Sequence, residues 1–253
     1  MLIIERQQKL IDMLREHKTM QLDDMAAQLG VSSSTVRRDL EVLEKQGLLE
    51  RTRAGAVYHS NAVADNEPTF ALAGRMKEHI DAKRRIGQKA AQMVEPGMTV
   101  LLDGGSTVIY AAQQFNARPL QVVTNSLSIS NLYKDDEQIE LMLIGGSLYP
   151  RTEITVGPIA NAALDAIHAD ILMFSLAGVH DGHLFNINMS MAETERHMMK
   201  RASKKIALMD SSKFGRKSLA RVCDCEELDL IITDAAIDPQ WQKELGDRLV
   251  IAR

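Results

Sequence analysis

Between Thr99 and Ala252 the chain alternates short apolar runs with helical stretches, and that alternation restricts the possible folds more than any other feature. The runs are TVLL at 99–102, LQVV at 120–123, IELMLI at 139–144, ILMFSLA at 171–177, KIALM at 205–209, LDLIIT at 228–233 and RLVIA at 248–252. Each is nearly continuous in apolar residues, as a strand buried on both faces must be, with enough chain between neighbours for a covering helix. The pattern predicts an α/β domain built on a parallel-rich sheet. Ligands of such sheets lie beyond the carboxyl ends of the strands. Here those ends are small and polar: DGGST at 103–107, TNS at 124–126, GGS at 145–147, AGVHDGH at 177–183 and DSSKFGR at 210–216.

DGGST follows a strand and opens a helix, so Gly104 and Gly105 allow close backbone approach while free amides and the hydroxyls of Ser106 and Thr107 face an anion. Glycines also serve tight strand-to-helix turns, and this loop alone does not separate the two uses. Lys213 is the natural countercharge for a phosphate. The chain has neither a Walker lysine pattern nor a spaced G-x-G-x-x-G, which speaks against nucleotide hydrolysis and dinucleotide binding. His180, Asp181 and His183 sit in a glycine-containing loop without the fixed spacing a metal site needs, so no metal or other cofactor is expected. Asp103, Asp181 and Glu193 are candidate carboxylates for proton transfer on a sugar or for contacts to a bound one.

The amino-terminal part has another character. In QLDDMAAQLG, residues 21–30, Leu22, Met25, Ala26 and Leu29 recur at helical spacing, and Gly30 and Val31 leave a tight turn before SSSTVRRDLEVLEKQG. In that second helix Val36, Leu40 and Leu43 share one face, while Ser34, Arg37, Arg38 and Glu41 share another; Ser32 is a good N-cap and Gly47 a good stop. Helix, turn and helix in this order predict a helix-turn-helix whose second helix enters the DNA major groove. Ser33, Ser34 and Thr35 would approach the sugar-phosphate backbone, with Arg37 and Arg38 one turn further in to contact phosphate or guanine. A helical hairpin with a merely solvated charged face would share the pattern. Residues 4–17 form an amphipathic stripe through Leu10, Ile11 and Leu14, and LLERTRAGAVYHS reads as a β-hairpin wing with Arg51 and Arg53 at its tip, reaching phosphates or the minor groove.

Residues 59–68 lose all periodicity, which suggests a winged helix-turn-helix domain at 1–58, a linker at 59–74 and a larger α/β domain at 75–253. The basic segment from Arg75 to Lys89, with Arg75, Lys77, Lys83, Arg84, Arg85 and Lys89, could add phosphate contacts, but the stripe of Ile80, Ile86, Ala90 and Met93 favours docking of one face onto the larger domain. Formal net charge is −4, and residues 1–60 hold nine Lys/Arg against nine Asp/Glu, so any positive face comes from segregation of charge. No apolar run reaches membrane-spanning length and the start lacks the order of a signal peptide, so a cytoplasmic protein is expected, with Cys223 and Cys225 reduced.

Across nearly its whole length the chain resembles the DeoR family of bacterial transcriptional regulators, through TVRRDLEVLEKQGLL, the wing ending RAGAV, and then LLDGGST, VVTNSL, LIGGSL and DSSKFG. The resemblance implies a winged-helix DNA-binding domain and an effector domain similar in fold to ribose-5-phosphate isomerase. It implies a repressor of a carbohydrate-metabolism operon, not an enzyme, that leaves double-stranded operator DNA when a phosphorylated sugar binds; the alternative is a sugar-phosphate isomerase-like enzyme with an attached DNA-binding module. By position, the recognition helix would be 33–46, and Asp103, Gly104, Gly105, Ser106, Thr107, Thr124, Asn125, Gly145, Gly146 and Lys213 would line the effector pocket. A homo-oligomer, dimer or tetramer, is expected, because paired reading heads match paired half-sites. Ala54-Gly55 replaces the more usual Gly-Gly, Ser106 stands where Thr is common, and the 182–193 loop departs most, which leaves the sugar's identity open.

Overall fold

The computed structural model describes residues 3–17, 19–45, 49–52, 55–58 and 71–253. The chain divides into two compact units, Met1–Thr69 and Phe70–Arg253.

In the smaller unit, α1 (Ile3–His17), α2 (Leu22–Leu29) and α3 (Ser33–Lys45) surround one core. The apolar stripes read from helical periodicity form it: Leu10, Leu14, Met25, Val36, Leu40 and Leu43 are at most 1% exposed, with Leu49 and Ala56 beside them. Each large side chain buried in this way stabilises the unit by about 1.5–3 kcal/mol. The wing is a three-stranded antiparallel sheet, because β1 (Thr19–Gln21) adds to the hairpin of β2 (Leu49–Arg51) and β3 (Gly55–Tyr58), with Thr19 opposite Val57 and Arg51 opposite Ala56. Gly55 is needed there: a Cβ would sit 2.0 Å from the Met20 carbonyl oxygen. Inside the bundle, Asp39 of α3 is buried and accepts from Arg6 Nε at 2.5 Å and Gln7 Nε2 at 3.3 Å. Gly47, Arg53 and most of the linker lie outside the described residues.

The larger unit begins with α4 (Leu72–Arg75) and α5 (Ile80–Ala91). Residues 71–74 were expected in the linker, but Leu72 is buried in this unit's core. There follow β4 (Thr99–Leu102), α6 (Ser106–Ala112), β5 (Leu120–Thr124), α7 (Leu127–Tyr133), β6 (Ile139–Leu143), the hairpin β7 (Ser147–Tyr149) and β8 (Ile154–Val156), and α8 (Pro158–Asp165). Then come β9 (Ala169–Phe174), β10 (Gly178–His180), β11 (His183–Asn186), α9 (Met189–Met199), β12 (Ala202–Leu208), β13 (Ala220–Asp224), β14 (Leu230–Asp234), α10 (Pro239–Leu245) and β15 (Leu249–Ala252). The seven apolar runs all become strands of one parallel sheet, in the order β15-β14-β12-β9-β4-β5-β6.

Alternate residues of these strands feed two cores. Val100, Leu102, Ile171, Met173, Ile206 and Leu208 pack with Ile86 and Ala90 of α5 and Val108 and Ala112 of α6, while Leu101, Leu172, Phe174 and Ala207 pack on the other face with Leu164 of α8 and Met198 of α9. Period-two alternation combined with burial on both faces explains why the runs are mostly apolar, with Gln121, Glu140 and Asp229 interrupting them at exposed positions. All carboxyl ends of the parallel strands lie at one edge, and the loops there carry the site.

Candidate functional site

In the smaller unit the turn between α2 and α3 is closed by Gly30, at φ 64° and ψ 35°, where a side chain would be strained. Ser32 caps α3: its Oγ accepts from the Thr35 amide at 3.3 Å and lies 2.9 Å from both Ser34 Oγ and Thr35 Oγ1. Ser33 Oγ donates to Asp23 Oδ1 at 2.7 Å, which fixes the front of α3 to α2. Arg37 and Arg38 are exposed and form no ion pair or side-chain hydrogen bond among the described residues. Their charge is available to something outside the unit.

Arg51 corrects the sequence reading. It lies within β2, not at the wing tip, and its Nε and Nη1 donate at 2.8 Å to Glu44 Oε2 and Glu41 Oε1 of α3, while Glu44 Oε1 accepts from the Arg51 amide at 3.0 Å. Hydrogen bonding to Glu44, then to Glu41, raises the guanidinium pKa. Arg51 therefore joins wing to helix. Arg53 is outside the described residues.

In the larger unit the β7–β8 hairpin folds over the end of β5: the Thr155 amide donates to the Asn125 carbonyl at 2.9 Å, and the Leu127 amide to that of Glu153 at 2.9 Å. The Gly-Gly loop lies beneath it. A Cβ on Gly104 would be 2.0 Å from Ile154 Cγ2, and one on Gly105 2.9 Å from Ser175 Cβ. The glycines are thus required by packing of the chain on itself, and Ser106 and Thr107 are buried with them. Thr124 Oγ1 donates to the Leu102 carbonyl at 2.7 Å and accepts from the Ser126 amide at 3.1 Å, joining adjacent strand ends. Gly145 and Gly146 are exposed at the base of the hairpin, and Gly146 has φ 146°.

Charge gathers at these ends. Asp103 is 2% exposed and accepts from Asn125 Nδ2 at 3.0 Å; burial raises its pKa against that hydrogen bond. Arg75, the last residue of α4, has Asp103 as an electrostatic partner, and burial lowers its pKa. Lys83 is 3% exposed, with a pKa lowered to about 8 chiefly by burial, and Asp210 partly offsets the effect. Lys213 follows the same logic: burial lowers its pKa and Asp210 raises it. Asp210 Oδ1 accepts from the Ser212 amide and hydroxyl.

Two predicted carboxylates do not join this group. Asp181 is exposed at the tip of the β10–β11 hairpin, with Lys217 Nζ at 3.4 Å and His180 Nδ1 at 2.9 Å. Glu193 is exposed on α9. Two residues further on, Glu195 is 1% exposed, accepts from Asn186 Nδ2, and has its pKa raised well above the ordinary value by burial first and Asp103 second. Residues two apart on a helix face opposite ways. The signal was present, since Met191, Ala192, Thr194, Glu195, Met198 and Met199 form a single buried stripe. Arg75 and Lys83 were also missed, because cations at helical spacing look solvated. Among the described residues no group of His, Cys, Asp or Glu is arranged to hold a metal. Cys223 and Cys225 are buried free thiols.

A wing and recognition helix joined to an α/β unit with charged strand ends define a two-part regulator of the winged-helix class. The chain matches the DeoR-like helix-turn-helix domain over residues 6–62 and the DeoR C terminal sensor domain over residues 78–235. It belongs to the DeoR family of transcriptional regulators. It is 34% identical to the L-fucose operon activator of Escherichia coli (90% of this chain, 94% of the relative) and 32% identical to the lactose phosphotransferase system repressor of Streptococcus mutans (94% and 95%). It is 31% identical to the transcriptional repressor GlcR of Bacillus subtilis (91% and 88%). Among solved structures it is similar to ribose 5-phosphate isomerase A of Methanocaldococcus jannaschii, at 20% identity and TM-score 0.40 over 55% of this chain and 56% of that one. It is also similar to eIF2B delta of Chaetomium thermophilum, at 12% identity and TM-score 0.46 over 61% and 56%. The chain spans little more than half the length of either structure. No helix among the described residues is long and apolar enough to cross a membrane.

Proposed function

We propose that this chain is a repressor of a carbohydrate-metabolism operon, that its larger unit binds a phosphorylated sugar, and that the bound sugar releases operator DNA. The observation that carries the sensor half is the distribution of unsatisfied polar atoms. Of the nine buried side-chain nitrogen and oxygen atoms without a hydrogen-bond partner among the described residues, five belong to Arg75, Asn125, Glu195 and Asp210 near the strand ends. Each such atom costs about 1–3 kcal/mol when left unpaired, and a polar ligand removes that cost. Lys213 supplies charge for a phosphate, while Asp103, Asn125, Asp210 and Glu195 offer acceptors and donors to sugar hydroxyls. The names of the relatives, which include a lactose phosphotransferase system repressor, support the same reading.

For the smaller unit, Arg37 and Arg38 contact bases or phosphates, and Ser33, Ser34 and Thr35 lie against the backbone. Two copies or a multiple of two present paired α3 helices to half-sites about 34–36 Å apart. Release requires the sugar to bind the DNA-incompetent state more tightly than the DNA-bound one. The test is thermal stability of the full chain with pentose and hexose monophosphates and with the same sugars unphosphorylated. A rise in Tm restricted to phosphorylated sugars supports the reading, and equal or absent shifts across both sets refute it. Turnover of those sugar phosphates is not expected, because binding alone accomplishes regulation.

A further inference from the structure

Eight large apolar side chains are exposed among the described residues, and five of them, Leu132, Met142, Leu143, Leu148 and Ile159, fall within the single stretch from α7 to the start of α8. At the centre of that stretch is β6, the last strand of the parallel sheet, with β5 on one side and no strand on the other. The Ile144 amide donates to the Thr124 carbonyl, and the Gln138 carbonyl accepts from the Leu120 amide, so the even-numbered residues of this strand turn their backbone groups toward β5. Successive residues alternate in direction, which leaves the amides and carbonyls of Leu141 and Leu143 pointing off the sheet.

An edge of this kind recruits another strand unless charge, proline or a covering element blunts it. The opposite edge is blunted: Arg248 and Arg253 bracket β15, α5 and α10 pack on it, and none of its residues is exposed. On β6 the charge lies at one end only. Asp135, Asp136 and Glu137 precede the strand, Glu140 accepts from Gln121 Nε2 at 2.9 Å, and the other end runs into Gly145, Gly146 and Ser147. Met142 and Leu143, on opposite faces, are 49% and 42% exposed.

We propose that β6 pairs antiparallel with β6 of a second copy of this chain, so that the two parallel sheets continue as one across a two-fold axis at Met142. In that register the outward groups of Leu141 meet those of Leu143 in the other copy, Met142 lies beside its own symmetry mate, and Glu140 faces Ile144. The acidic start of one strand then lies against the uncharged glycine end of the other, whereas a parallel arrangement would set acid against acid. The strand is its own complement when reversed, as the surface of a two-fold dimer must be. Helices α7 and α8 pack on opposite faces of the sheet, so Leu132 and Ile159 flank the new ladder on its two sides. The inference rests on the paired-copy reading above and gives it a surface within the larger unit.

The experiment is sedimentation equilibrium of the full chain at micromolar concentration, where the wild type associates in twos or a multiple of two. Met142→Lys, at a half-exposed position that a monomer tolerates, sets two lysines side by side on the axis and raises the dissociation constant by roughly tenfold or more. Leu219→Lys, at an apolar side chain 76% exposed outside this stretch, leaves that constant within about twofold. Under mild oxidation Met142→Cys forms a disulfide between copies, because side chains directly opposite on antiparallel strands stand about 4.5–5.5 Å apart, and Leu219→Cys does not. The wild type is the control for the buried thiols of Cys223 and Cys225. An associating chain in which Met142→Lys binds as tightly as wild type, or Met142→Cys gives no cross-link, overturns this surface and leaves the paired-copy reading standing. A wild type that stays monomeric in solution also overturns the inference; the paired-copy reading falls with it only if a single copy occupies the operator.

Discussion

The two units treat charge in opposite ways. In the smaller one Arg37 and Arg38 are exposed and have no ion-pair partner among the described residues, while Arg51 and Arg6 are consumed by Glu44, Glu41 and Asp39 in holding the unit together. In the larger one Arg75, Lys83, Asp103, Glu195 and Asp210 are drawn out of water at the strand ends, and several of their polar atoms are left unpaired. Exposed arginines cost the fold almost nothing and are ready for a polyanion at any time. Buried, incompletely satisfied charge raises the energy of the unliganded state, and that energy is what a ligand can release to drive a change. A reading head needs the first arrangement and a sensor the second.

The contrast can be broken or sharpened in order of effect. Leu40→Ala empties a site that is 1% exposed and should cost the smaller unit about 2–5 kcal/mol. Scanning calorimetry should show its transition fall while that of the larger unit holds. Gly104→Ala places a methyl against Ile154 and should cost the larger unit about 1–3 kcal/mol, with Ile154→Ala in the same chain recovering part of the loss. If Gly104→Ala is neutral in stability yet lowers ligand affinity, the glycine serves the ligand and not packing. Arg37→Ala should weaken operator binding by about 1–3 kcal/mol, whereas Arg51→Ala should change it by less than about 1 kcal/mol and lower the stability of the wing instead. Equal losses for the two would erase the division between free and committed arginines.

Glu195→Gln gives the smallest and most diagnostic change. Burial keeps the Glu195 carboxyl protonated in the folded chain above the pH at which the unfolded chain releases its proton. The stability tied to that proton is complete below the unfolded pKa and is lost as pH rises toward the folded one. Glutamine imitates the protonated acid without titrating. The Tm of Glu195→Gln should match wild type near pH 4 and exceed it by a growing margin toward pH 8; a constant gap would mean that Glu195 is ionised in the fold.

How far the chain could be read in advance follows from the same contrast. All seven strands of the parallel sheet were legible, because burial on both faces demands predominantly apolar runs such as TVLL and KIALM. The three helices of the reading head were legible from one stripe each. Strands β7, β8, β10, β11 and β13 were not, since short strands in small antiparallel sheets carry mixed residues and take their pairing from distant partners such as Leu184 and Cys223. At the reading head, outward serines and arginines follow from helical spacing alone. At the strand ends, DGGST and Lys213 gave the location, but Arg75, Lys83 and Glu195 become buried only through contacts between segments far apart in sequence. Glu193 and Glu195 differ in the helical face they occupy, and only Glu195 is on the buried one.

The central claim is that a ligand in the larger unit changes what the smaller one does to DNA. The direct measurement is operator affinity of the full chain across the pentose and hexose monophosphates, for wild type and for Lys213→Ala. The account predicts that at least one sugar phosphate weakens wild-type binding by roughly fivefold or more, as a coupling above about 1 kcal/mol requires, and leaves Lys213→Ala unmoved. Identical affinity with and without every sugar phosphate, or an equal response from Lys213→Ala, would contradict it.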